Sequence, residues 1–102
     1  MVRITKTIAE SRLGDVPQGK QFWCQDGRVL KSLPQLGVAL KQMDEETFRH
    51  HSSESGNDFS NWVRDVIGDE KLSRDLLKST TQAQAAKSIE DRAAWLKGKI
   101  KA

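Results

Sequence analysis

Cysteine, histidine, serine and carboxylate side chains are the groups able to hold a metal ion or attack a substrate, and the first two are scarce here. Cys24, His50 and His51 are the only soft-metal ligands in 102 residues. Neighbouring residues on a helix project about 100° apart, so His50 and His51 are badly placed to chelate one ion. Neither a Cys-x-x-Cys nor a His-x-x-x-His spacing supports a site. No metal and no cofactor are expected. His51 falls three residues after Phe48 and shares its inward face, where a hydrogen bond to Asp58 or Asn57 across the following loop would fix the turn, while His50 faces water.

A Ser-His-Asp triad or a Cys-His dyad can be drawn on paper from Ser60, Cys24, His51 and Asp58. Nothing in their spacing recommends it, because such sites are recognised by geometry and there is no nucleophile elbow. Gly14, Gly19, Gly27 and Gly37 never reach the spacing of a phosphate-cradling loop. No catalytic residue is therefore assigned. Asn57, Asp58, Asn61, Trp62, Arg64 and Asp65 form a dense polar and aromatic cluster, in which Arg64 is expected to pair with a carboxylate one helical turn away. Capping and fold-specific hydrogen bonding explain this cluster better than ligand binding does.

Three tryptophans occur without any tyrosine. Trp62 lies on a core stripe. Trp23 and Trp95, with Lys97 and Lys99 beside the latter, are candidates for a partner surface, since tryptophan is enriched where partners are anchored.

These residues need elements to hold them. Gln21 to Leu30 reads as a β-hairpin around Asp26-Gly27, a strong short-range turn signal. Ser32 caps a helix that starts at Leu33-Pro34 and runs along Leu33, Leu36, Leu40 and Met43, with Gly37 inside it. Asp44 caps a short helix through Phe48 and the two histidines, which Ser52 to Gly56 breaks. Phe59, Trp62, Val63, Val66 and Ile67 then recur at helical spacing, ending at Gly68. Asp69 caps the next helix, with Leu72, Leu76 and Leu77 inward. Ser79-Thr80-Thr81 leads into a last helix whose stripe is Ala86, Ile89, Ala93, Leu96 and Ile100. Residues 1–20, punctuated by Gly14, Pro17 and Gly19, read as a partly ordered arm with an edge strand over Val2 to Ile8. The expectation is a mainly α fold: a compact bundle of four to five short helices behind a small N-terminal β-hairpin, with 21–102 as a single helical domain.

At 102 residues only one such core is affordable, and 36% apolar against 30% charged residues is a globular balance rather than a disordered one. No 18-residue apolar run exists, so no membrane partner is expected, and the first residues lack the apolar stretch of a secretory signal. A single cysteine cannot close an intramolecular disulfide, which points to the cytoplasm. The net charge of +3 divides unevenly: +2 over residues 1–20, +2 over 21–43, −4 over 44–79 and +3 over 80–102. Helix, glycine turn and helix over Asn57 to Leu77 outline a DNA-reading motif, but its second helix lies in the most negative segment and would be repelled by phosphate.

The runs Asp26-Gly27-Arg28-Val29-Leu30-Lys31-Ser32-Leu33, Glu46-Thr47-Phe48 with His51, and Asn57 through Asp69 together resemble a small prokaryotic domain family of unknown function. The resemblance covers about half the chain and departs from the family pattern at Ser52-Ser53. It implies a compact accessory domain without catalysis or cofactor. The expected function is a non-catalytic protein-interaction or regulatory module with an unknown protein partner, as monomer or as homodimer through the last helix. Weak sequence-independent nucleic-acid binding through the basic termini is the alternative, and an unrecognised small enzyme the third.

Overall fold

The computed structural model describes residues 4–53 and 56–101. In chain order these form α1 (Lys6–Leu13), a hairpin of β1 (Phe22–Trp23) and β2 (Val29–Leu30), α2 (Leu33–Gln42), α3 (Glu45–His51), a second hairpin of β3 (Ser52–Ser53) and β4 (Gly56–Asn57), α4 (Asp58–Trp62) running into a π-helical turn (Val63–Ile67), α5 (Glu70–Lys78) and α6 (Gln82–Lys101). The fold is mainly α with an N-terminal β-hairpin, as the sequence implies.

The caps follow their chemistry. Ser32, Asp44, Asn57 and Asp69 each accept a hydrogen bond from the backbone N–H three residues on, filling one of the donors that a helix start leaves bare. In the first hairpin Phe22 pairs with Leu30 and Trp23 with Val29. The turn is three residues rather than two: Cys24 N–H donates to Arg28 O at 2.9 Å and Gly27 N–H to Cys24 O at 3.0 Å. Gly27 takes φ +95°, the left-handed geometry of a bulge that suits glycine.

Helix α6 is the spine. Ala85, Ala86, Ile89, Ala93 and Leu96 are buried on it, against α2 on one side and α1 on another. The stripe considered as a dimer seam is thus used within the chain. Gly37 of α2 lets α6 come close, since a Cβ there would lie 3.1 Å from Ile89 Cγ2. An ion pair between Lys41 and Glu90 crosses the same contact at the surface.

Four expectations are corrected. The edge strand expected over Val2 to Ile8 is replaced from Lys6 by a helix, capped by Thr5, whose Ala9 is fully buried; residues 2 and 3 lie outside the described residues. Ala9, with Ile4, Leu13 and Val16 packed nearby, belongs to the same core cluster as buried residues of 21–101, so the described part of the expected arm, residues 4–20, packs on that core. Leu77 is 61% exposed, and Ser73 takes the inward place beside Leu72 and Leu76. The stretch after His51 is not merely a break, because Ser52 pairs with Asn57 and Ser53 with Gly56.

Candidate functional site

The cluster around His51 is assembled from three elements. The end of α3 brings the ring inward, β1 supplies Phe22 and α4 supplies Phe59, whose rings lie 5.1 and 5.4 Å from the imidazole, centroid to centroid. His51 Nε2 accepts the Gln25 backbone N–H at 2.9 Å. That donor is obligatory, so the ring hydrogen sits on Nδ1, which donates to Asp58 Oδ2 at 3.0 Å. The expected pairing across the loop therefore falls on Asp58. Asn57 works differently: its Oδ1 accepts from Ser60 N–H at 3.0 Å, and its Nδ2 donates to Ser52 Oγ and to Leu76 O.

Trp62 is buried, edge-on to Phe22, and its indole Nε1 donates to Lys20 O at 2.8 Å, sealing the segment before the hairpin onto α4. Asn61 is exposed. Arg64 pairs with its immediate neighbour Asp65 at 2.9 Å rather than with a carboxylate one turn away, because the residues three and four positions to either side, Ser60, Asn61, Ile67 and Gly68, carry no acid. That contact lowers the Asp65 pKa and raises that of Arg64. His51, Asn57, Asp58 and Trp62 thus form one connected region, while Asn61, Arg64 and Asp65 lie on its solvent side.

Ser60 is drawn elsewhere. Its hydroxyl and that of Ser73 lie 2.7 Å apart, and each reaches the other residue's carbonyl, at 2.8 and 3.0 Å. This reciprocal pair zips α4 to α5 in the core and absorbs the hydroxyl a triad would need. Cys24 is buried, and desolvation chiefly pushes its thiol pKa up, which disfavours the nucleophilic thiolate. No group of three or more possible metal-ligating side chains occurs among the described residues.

Sequence reasoning missed the most heavily bonded charge in the molecule. Asp69 follows Gly68, whose φ of +85° ends the π-helical turn, and its carboxylate is fully buried. Arg92 of α6 donates twice to it, Nε to Oδ2 at 2.7 Å and Nη2 to Oδ1 at 3.1 Å, and Arg12 of α1 lies 3.6 Å from Oδ2. The signal available was only the cap position of Asp69; its two arginines are 57 and 23 residues away in sequence. Trp95 stands over this region, 42% exposed, with Arg92 at 4.4 Å and Lys99 at 4.8 Å from its ring centroid. The cleft here encloses about 950 Å³ between α1, α5 and α6.

A second groove, about 550 Å³, runs between β2 and α2, lined by Val29, Leu30, Pro34 and Val38 with Arg28 and Gln42 at its rim. Trp23, 70% exposed, stands cross-strand to Val29 beside it, and Val38 is 54% exposed. Trp23 and Trp95 therefore belong to different surfaces, one on the hairpin and one on α6; Lys97, also on α6, is exposed. No helix among the described residues is long and apolar enough to cross a membrane. No protein-family model, curated protein or solved structure matches the chain.

Proposed function

We propose that the chain is a non-catalytic protein-interaction or regulatory accessory domain of a prokaryotic cytoplasm, docking a protein partner through the face that carries Trp23, Val29 and Val38. The observation that carries this reading is the exposed Trp23–Val29 cross-strand pair beside an apolar groove. Large apolar side chains scattered singly on a surface are ordinary but meaningful when left together as a patch, and tryptophan is enriched among the residues that anchor partner contacts. The non-catalytic half of the reading is supported by the His51 ring, which has both nitrogens engaged and two phenylalanines against it. The lone buried thiol of Cys24 suits a reducing compartment.

The test is affinity capture from the native cell with three baits: wild type, Trp23→Ala and Val38→Glu. Both positions are exposed, so the variants should fold with unchanged unfolding midpoints and lose the captured protein. A partner retained by both folded variants would overturn the reading.

One observation favours the nucleic-acid alternative. Packing of α1 on α6 brings the two basic ends of the chain together. Arg92 is occupied by Asp69 and Lys87 by Asp91, while Arg12 is drawn into the cleft beside the same Asp69 carboxylate, which leaves the exposed Lys6, Lys97, Lys99 and Lys101 for phosphate. Binding through these lysines would fall steeply as salt rises, whereas an apolar docking contact would not.

A further inference from the structure

The cleft between α1, α5 and α6 holds two guanidinium groups, those of Arg12 and Arg74, that the fold does not hydrogen-bond. Its lining includes four cationic and four carboxylate side chains, and most of them are matched. Arg92 holds Asp69 with two hydrogen bonds, Lys71 pairs with Asp75 at 2.7 Å, and Asp91 pairs with Lys87 at 3.0 Å. Arg12 is different. Its side chain is only 14% exposed and has a charge contact at 3.6 Å to a carboxylate already gripped by Arg92. Among the described residues its five N–H donors have no hydrogen-bond acceptor, and since no buried side-chain nitrogen there goes without a partner, these donors open onto solvent rather than being sealed in the core. Arg74, on the cleft wall, makes no ion pair within 4 Å there, and neither does Glu70, which lies one turn before it on α5 and also acts on Arg64 by charge.

We propose that this cleft binds a small phosphate-bearing metabolite, with Arg12 and Arg74 as the partners of its phosphate and Trp95 as the wall for the rest of the molecule. A guanidinium presents two parallel donors that match a phosphate edge, so an arginine held by the fold with its donors open to a cleft is preorganised for that group. The volume is far larger than a free phosphate requires and falls in the range of small-molecule sites, so the phosphate is one end of a larger ligand. The exposed indole of Trp95 supplies apolar surface there, and Lys99 over its ring adds a third cation near the mouth. Glu70 opposes the ligand's charge and sets a sign-specific expectation. This inference does not rest on the docking face, which lies on the hairpin and α2.

The experiment is isothermal titration at low salt with adenosine monophosphate, inorganic phosphate and adenosine as probes. Saturable binding of the monophosphate, weaker binding of phosphate and none of adenosine are expected. Arg74→Gln should weaken binding about tenfold, the worth of one charge-assisted hydrogen bond, and Glu70→Gln should tighten it. Both residues are exposed, so neither change threatens the fold, whereas Arg12→Lys tests the buried partner and is read alongside its own unfolding curve. No saturable heat with either phosphate probe at millimolar concentration would overturn the proposal, as would adenosine binding as well as its monophosphate. Affinity unmoved by Arg74→Gln would also overturn it. So would a glutamate-rich peptide that binds where the monophosphate does not, since the cleft would then belong to a protein partner.

Discussion

Arg92 closes on Asp69 through two hydrogen bonds, 2.7 and 3.1 Å long, and the carboxylate they hold is fully buried. The same carboxylate caps α5 through Leu72 N–H at 3.1 Å and faces Arg12 of α1. One side chain therefore ties α1, α5 and α6 together at the end of the π-helical turn. Its removal strands two mostly buried positive charges and leaves a helix start uncapped.

Asp69→Ala is accordingly expected to cost about 3–5 kcal/mol of folding stability, the range for removing one member of a buried ion pair. Arg92→Ala should cost more than Arg12→Ala, because Arg92 makes both hydrogen bonds and Arg12 only a 3.6 Å charge contact. Urea unfolding of the three variants checks the order; equal losses at Arg12 and Arg92 would refute it.

His51→Ala removes a ring packed between Phe22 and Phe59 and orphans the Gln25 N–H. The loss should reach about 2–4 kcal/mol, combining a cavity with an unsatisfied donor. Asp58, mostly exposed, should matter far less, and Asp58→Ala should cost about 1 kcal/mol or under. An unchanged midpoint in His51→Ala would show that the ring fixes nothing.

Ser60 and Ser73 offer a double-mutant cycle. Either single alanine leaves the partner's hydroxyl and a carbonyl short of a bond in the core, at about 1–3 kcal/mol. The double variant should cost clearly less than the two singles together, because the contact between the two hydroxyls is lost in each single but only once in the double. Strict additivity would mean that the pair does not act as a unit.

Acid sensitivity is expected at Asp44. Its carboxylate accepts the Thr47 N–H at 2.8 Å, and that bond chiefly lowers its pKa in the folded chain. A group with a depressed folded pKa stabilises the fold above its unfolded value and loses that contribution as pH falls through the folded one, here below about pH 4. Asp44→Asn keeps a cap but cannot titrate, so its thermal midpoint should fall less between neutral pH and acid than that of wild type. Parallel acid curves would contradict this.

The elements legible in the sequence were those with strong local chemistry. Asp26-Gly27 gave the hairpin, though not its three-residue bulged turn. Ser32, Asp44 and Asp69 marked three helix starts, because a capping oxygen bonds a backbone group only three residues away, and the structure adds Asn57 as the cap of α4. Helix α1 was not legible, since Ala9 is its only fully buried residue and a helix so short owes its stability to the surface it packs on. Leu77 and Ser73 exchanged their expected places because the Ser60 hydroxyl, thirteen residues earlier, supplies what makes a buried serine tolerable.

The sequence by itself determined a mainly α chain, its hairpin, most helix boundaries and a pairing of His51 across one turn with Asp58 or Asn57, of which the structure takes Asp58. Only the tertiary structure decided that Asp69 would be buried between Arg12 and Arg92, that the two basic ends would meet, and that Trp23 and Trp95 would mark separate surfaces. The physical reason is range. Caps, turns and helical stripes are settled within a few residues of backbone, whereas a buried charge is tolerable only if distant helices deliver its partners, and no local pattern encodes which ones will arrive.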